Sequence, residues 1–239
     1  MVAALTFAGI AMVVNSATQP DASWPQSAFI IIATLAALVA QTRQLPAQNV
    51  LVAAGLIAAG AVASEAIAFA LSPNPAIPLH ARWFVPLVWV NAMLNSRGAA
   101  KLILHRRQHS RNYGFQMIGL TVVLNVAVLV AIWSVTMNPF HADVKLSVGS
   151  IVSLARIMGW TFTTFLMLLF VTPVLMNKKP VRYPANYQPM ILWNVLILFA
   201  ALAAGIRGFP LFAAIELVLA VVITLVALRG ANSRVPRGS

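Results

Sequence analysis

Two glutamates, Glu65 and Glu216, stand inside apolar runs long enough to cross a bilayer. The chain has only four acidic residues, so half of them occupy the costliest place for a carboxylate. An intramembrane carboxyl needs a partner, a proton or a task. Arg156 lies in a third apolar run and Asn91 in a fourth. A carboxyl held in an apolar interior suits the neutral acid, and a neutral acid is what protonating a substrate requires. Glu65, Glu216 and Arg156 are therefore the candidate catalytic residues. The structural alternative is an ion pair or hydrogen-bond knot that fixes helix packing.

Trp160 joins Asn91 as a candidate substrate-binding residue. Trp160 follows Arg156 by one helical turn, and an indole face there would stabilise a cation. Buried Trp is also ordinary packing. His105 and His109 have metal-compatible spacing, but Arg106, Arg107 and Arg111 around them repel a cation. No metal is expected. Arg97 is expected to snorkel toward the inner interface. Gly-rich phosphate loops and the HExxH, GxSxG and Asp-rich magnesium motifs are missing, which argues against ATP use, zinc hydrolysis and diphosphate chemistry. No cofactor is expected.

The elements that position these residues follow from composition. Of 239 residues, 61% are hydrophobic and 8% charged. A soluble domain carries about three times that charge fraction. Alternating segments of barrel type do not occur. The fold class is all-α, a polytopic membrane helix bundle. Eight runs read as spans: 2–18, 26–41, 49–71, 83–104, 115–136, 147–175, 188–206 and 209–229. The sixth is long and expected to tilt or break near Gly159. Residues 1–232 form one domain. The segment 233–239, with Val235-Pro236-Arg237-Gly238-Ser239, reads as a protease-site remnant of recombinant expression. The Val2–Val14 run has no basic stretch before it, so no cleavable signal is expected.

The net charge of +12 does not indicate nucleic acid, because the basic residues cluster in short connections. Arg43, the group Lys101, Arg106, Arg107 and Arg111, the group Lys178, Lys179 and Arg182, and Arg229 share one parity. Arg82, Lys145 and Arg207 share the other with Asp21 and Asp143. The positive-inside rule then places both termini in the cytoplasm, and a bacterial inner membrane is the expected location. At about 1.5 Å per residue, Glu65 lies roughly 9 Å, Glu216 roughly 10 Å and Arg156 roughly 14 Å below the outer boundary. Asn91 is at a similar level. These side chains are expected to meet around a cavity in the outer half of the membrane.

Three segments carry a resemblance. Ala63-Ser64-Glu65-Ala66-Ile67-Ala68 precedes a Pro-containing loop and Val85-Pro86-Leu87-Val88-Trp89. Asn138-Pro139-Phe140 precedes Met158-Gly159-Trp160. Asn177-Lys178-Lys179-Pro180 precedes Pro184, Tyr187 and Pro189. In order and spacing, over roughly residues 50 to 200, the chain resembles the membrane carotenoid biosynthesis proteins that include γ-carotene and bisanhydrobacterioruberin hydratases. Asn138 stands where that family has Asp. The resemblance implies hydration of a terminal C=C of an acyclic carotenoid end, a cofactor-independent hydro-lyase reaction, with Glu65 as acid and Trp89 and Trp160 lining the pocket. The partners implied are the lipid bilayer and a carotenoid or other polyprenoid substrate. The competing reading is a non-catalytic carotenoid or lipid binder, or a small transporter. The absence of repeated halves speaks against the transporter.

Overall fold

The computed structural model describes residues 8–11, 24–71, 84–107, 111–136, 148–175, 185–206 and 208–232. Among them there is no strand. Residues 8–11 are helical (α1). Then follow α2 Trp24–Thr42, α3 Ala47–Leu71, α4 Val85–Ile103, a 3-10 turn His105–Arg107, α5 Tyr113–Thr136, α6 Val148–Leu175, α7 Gln188–Ile206 and α8 Pro210–Asn232. From α2 onward each helix coincides closely with one expected apolar run. The largest offset is the end of α8, at Asn232 rather than Arg229. Of the first run only 8–11 is described. Five helices, α3, α5, α6, α7 and α8, are long and apolar enough to cross a membrane.

The helix ends follow local chemistry. Pro86 occupies the first turn of α4, where a missing N–H costs nothing. Gly208 turns the chain between α7 and α8 with φ 89°, a conformation open to glycine. The expected break at Gly159 does not occur: α6 runs unbroken for 28 residues. Nothing lies within 4 Å of where a Gly159 Cβ would be, so the residue faces open space. Pro173 falls in the last turn of α6, where it leaves the Leu169 carbonyl without its helical donor.

Helix α4 is the axis of the bundle. It packs against α2, α3, α5, α7 and α8, and every residue from Val88 to Ala100 is buried. It is also the most polar long helix, carrying Asn91, Asn95, Ser96, Arg97 and Lys101. Lipid would penalise that polarity, so the other helices surround it. Small residues permit the close approach. Gly98 lets Pro189 of α7 and the Gln41 amide of α2 press against α4, and Gly230 of α8 lies against the Leu102 and Ile103 carbonyls.

Paired contacts fix the helix directions. Thr34 Oγ1 reaches the Leu87 carbonyl at 3.1 Å and Gln41 Nε2 the Leu94 carbonyl at 2.9 Å, so α2 and α4 run parallel. The Phe29–Phe199 edge contact and the Asn186 bond to the Ala40 carbonyl set α7 antiparallel to α2. Asn194 with Thr224, and Gly205 beside Ala213, set α8 antiparallel to α7. Helix α8 therefore runs parallel to α4.

Candidate functional site

The candidate residues divide between two places. The first is the α3–α6 interface. Ser64 Oγ and Thr163 Oγ1 lie 3.3 Å apart across it. Beside them Glu65 and Arg156, both half-buried, stand within electrostatic reach of one another. Trp160 is half-buried and packs against the core. Both helices present apolar faces outward, with Val62 and Ile67 on α3 and Met158 and Phe162 on α6 exposed. The Glu65–Arg156 relationship joins two peripheral helices by opposite charge.

The second place is the α4–α7–α8 interior. Glu216 is 5% exposed, and neither carboxyl oxygen has a hydrogen-bond partner among the described residues. Burial, with no neighbouring charge among the described residues, is what acts on it. On the same side of α8 lie Ala213, packed with Ala201 and Ala204 of α7, and Gly230, packed on α4. Fourteen residues before Gly230 is Glu216; fourteen before Leu102 and Ile103 are Val88 and Trp89. Two parallel helices keep that register, so Glu216 stands at the level of Trp89. Trp89 itself is 2% exposed.

Asn91 lies about 4 Å further along the α4 axis than Val88–Trp89. Its Oδ1 accepts from Asn95 Nδ2 at 2.6 Å. Both residues are fully buried, yet Asn91 Nδ2 and Asn95 Oδ1 have no partner among the described residues. One open donor and one open acceptor within an amide pair suit a water molecule or a hydroxyl group, which can serve both.

The structure thus brings Glu65 and Arg156 together, and puts Glu216 at the level of Trp89 in a different interface. The single outer-half cluster of four polar side chains is not what the described residues form. Depth along a span says nothing of direction around the bundle.

Further polar contacts escaped the sequence reading. Asn125 Nδ2 donates to Thr164 Oγ1 at 2.9 Å between α5 and α6. Asn194 Nδ2 donates to Thr224 Oγ1 at 2.9 Å between α7 and α8. An amide inside an apolar run was the available signal. Arg97 extends to the end of α6, where Nη2 donates to the Leu175 carbonyl at 3.1 Å.

Among the described residues no three His, Cys, Asp or Glu side chains gather as metal ligands. His109, His80, His141, Trp83, Asn138–Phe140 and Asn177–Pro180 lie outside the described residues, as do the side chains of Trp24 and Trp133. No family model, curated protein or solved structure matches the chain.

Proposed function

We propose that the chain is an integral membrane enzyme of carotenoid metabolism that adds water across a terminal C=C of an acyclic carotenoid end. In this reading eight helices span a bacterial inner membrane, with both termini cytoplasmic. The observation that carries it is the Glu216 carboxyl, 5% exposed and without a hydrogen bond or a neighbouring charge among the described residues. Such surroundings suit the neutral acid rather than the carboxylate.

The reaction balances without a cofactor. The Glu216 carboxyl transfers its proton to the terminal alkene, forming a C–H bond and a tertiary carbocation. Water held by the Asn91–Asn95 pair adds to the cation, forming the C–O bond. The resulting oxonium returns a proton to Glu216, and the net change is one added water. An indole face at the level of the acid, Trp89, would stabilise the cation. Glu65, the acid that the resemblance implies, shares its place with Arg156. Its role in this reading is to hold α3 to α6.

Co-expression with a pathway that makes an acyclic carotenoid tests the reading. The native chain yields product heavier by one water. Glu216→Gln abolishes that product, and Glu65→Gln retains it. Loss with Glu65→Gln alone would transfer the acid role to Glu65. Full yield from both variants, or pigment that co-purifies unchanged in mass with the native chain, would leave a carotenoid binder and no hydratase.

A further inference from the structure

Arg97 is 8% exposed, and its charge has no carboxylate partner among the described residues. Glu65 stands toward the far end of α3, six residues before Leu71. Glu216 stands six residues into α8, which starts at the end of the bundle away from Leu175. Asp21 and Asp143 lie outside the described residues. A guanidinium offers five N–H donors. The Leu175 carbonyl takes one, while Arg97 Nε is buried without a partner among the described residues. The carbonyl end of α6 carries only a partial negative charge and offsets part of the cost.

The neighbours of Arg97 are cationic or neutral donors. Lys101 is close enough for the two charges to act on one another, and its Nζ donates to Gln44 Oε1 at 2.9 Å. The Tyr113 phenol is within electrostatic reach. Ser96 Oγ, next to Arg97 in the chain, and Thr172 Oγ1, one turn before Leu175, are both buried without partners among the described residues. Two cations and a phenol, with no acid beside them among the described residues and two unbonded hydroxyls on the same stretches of α4 and α6, suit an anion that accepts several hydrogen bonds.

We infer that the Arg97–Lys101–Tyr113 end of the bundle binds the headgroup phosphate of an anionic membrane lipid. The lipid source follows from the surface beside it. Leu51 and Val52 at the start of α3, and Leu169 and Phe170 near the end of α6, are exposed. The Gly60–Met167 contact of these antiparallel helices puts Val52 level with Leu175. An acyl chain can lie on that face while its phosphate reaches the guanidinium. Basic sites among membrane helices take anionic lipid headgroups on the same principle. The inference stands apart from the hydratase reading and does not use Glu216.

Native mass spectrometry of the full chain, loaded with equal amounts of phosphatidylglycerol and phosphatidylcholine, tests it. The native protein should retain phosphatidylglycerol over phosphatidylcholine by about five-fold or more. Arg97→Gln should bring the ratio near one, Arg97→Lys should restore part of it, and Arg111→Gln, at an exposed position, should leave it unchanged. If Arg97→Gln does not fold, Lys101→Gln carries the test and should lower the ratio. Equal retention by the native chain, or an undiminished ratio in the variants that fold, would overturn the site. A thermal shift with inorganic phosphate as large as that with phosphatidylglycerol would overturn the lipid source.

Discussion

Asn95 Nδ2 donates to Asn91 Oδ1 at 2.6 Å, one turn apart on the most buried helix of the bundle. The bond satisfies half of each amide. The opposite halves, Asn91 Nδ2 and Asn95 Oδ1, are buried and open among the described residues. That arrangement separates stability from chemistry.

Asn95→Leu should destabilise the protein by about 1–3 kcal/mol, because it leaves the Asn91 amide buried without its one partner. Replacing both by Leu should recover most of that loss, since no orphan remains. Thermal melts of the single and double variants in detergent decide the matter. If the pair seats the reacting water, the double variant melts near the native temperature and forms no hydrated product.

Glu216→Leu should raise stability. An unbonded buried polar group costs about 1–3 kcal/mol by mutational measure, and leucine fills similar space without that cost. The expected outcome is a higher melting temperature together with loss of product. A lower melting temperature would mean that the carboxyl has stabilising partners in the folded protein.

Two glycines on the α4 contacts should resist substitution, and a third should not. A methyl at Gly98 would meet the ring of Pro189, and one at Gly230 would meet the Leu102 and Ile103 carbonyls at 2.6 Å. Neither neighbour is a flexible side-chain end. Gly98→Ala and Gly230→Ala should each cost about 1–3 kcal/mol. Gly60→Ala meets only the Met167 side chain, its nearest atom 2.7 Å away, and Met can swing aside. Its melting temperature should stay close to native.

Glu65 and Arg156 should couple. A double-mutant cycle with Glu65→Gln and Arg156→Gln should give an interaction of about 0.5–3 kcal/mol, as for residues within one network. The same cycle with Glu216→Gln in place of Glu65→Gln should give almost none, because no charge among the described residues acts on Glu216. Coupling of equal size in both cycles would join the two places into one.

The helices were readable because apolar runs separated by proline and basic connections determine where a chain can and cannot cross a bilayer. From α2 to α8 the ends fall close to those limits. Rise per residue converts the positions of Glu65, Arg156, Glu216 and Asn91 into expected heights, but their grouping was not readable. Height is one coordinate, and the other two depend on which helices touch. Helix α3 meets α6, and α8 meets α7 and α4 where small residues such as Gly205 and Gly230 permit close approach. The central place of α4 was foreshadowed by Asn91, Asn95, Ser96 and Arg97 on a single run, too many polar groups for a helix that faces lipid.

The unbroken course of α6 has a mechanical consequence. Its 28 residues extend about 42 Å, against an oily layer of about 30 Å. A rod of that length must lean, protrude or thicken the bilayer around it. Glu65 of α3, within electrostatic reach of Arg156 on this rod, and Arg97, bonded to its end at Leu175, would then feel any change in membrane thickness as a shift in the rod's slant. Lipid chain length would then act on both ends of the molecule at once.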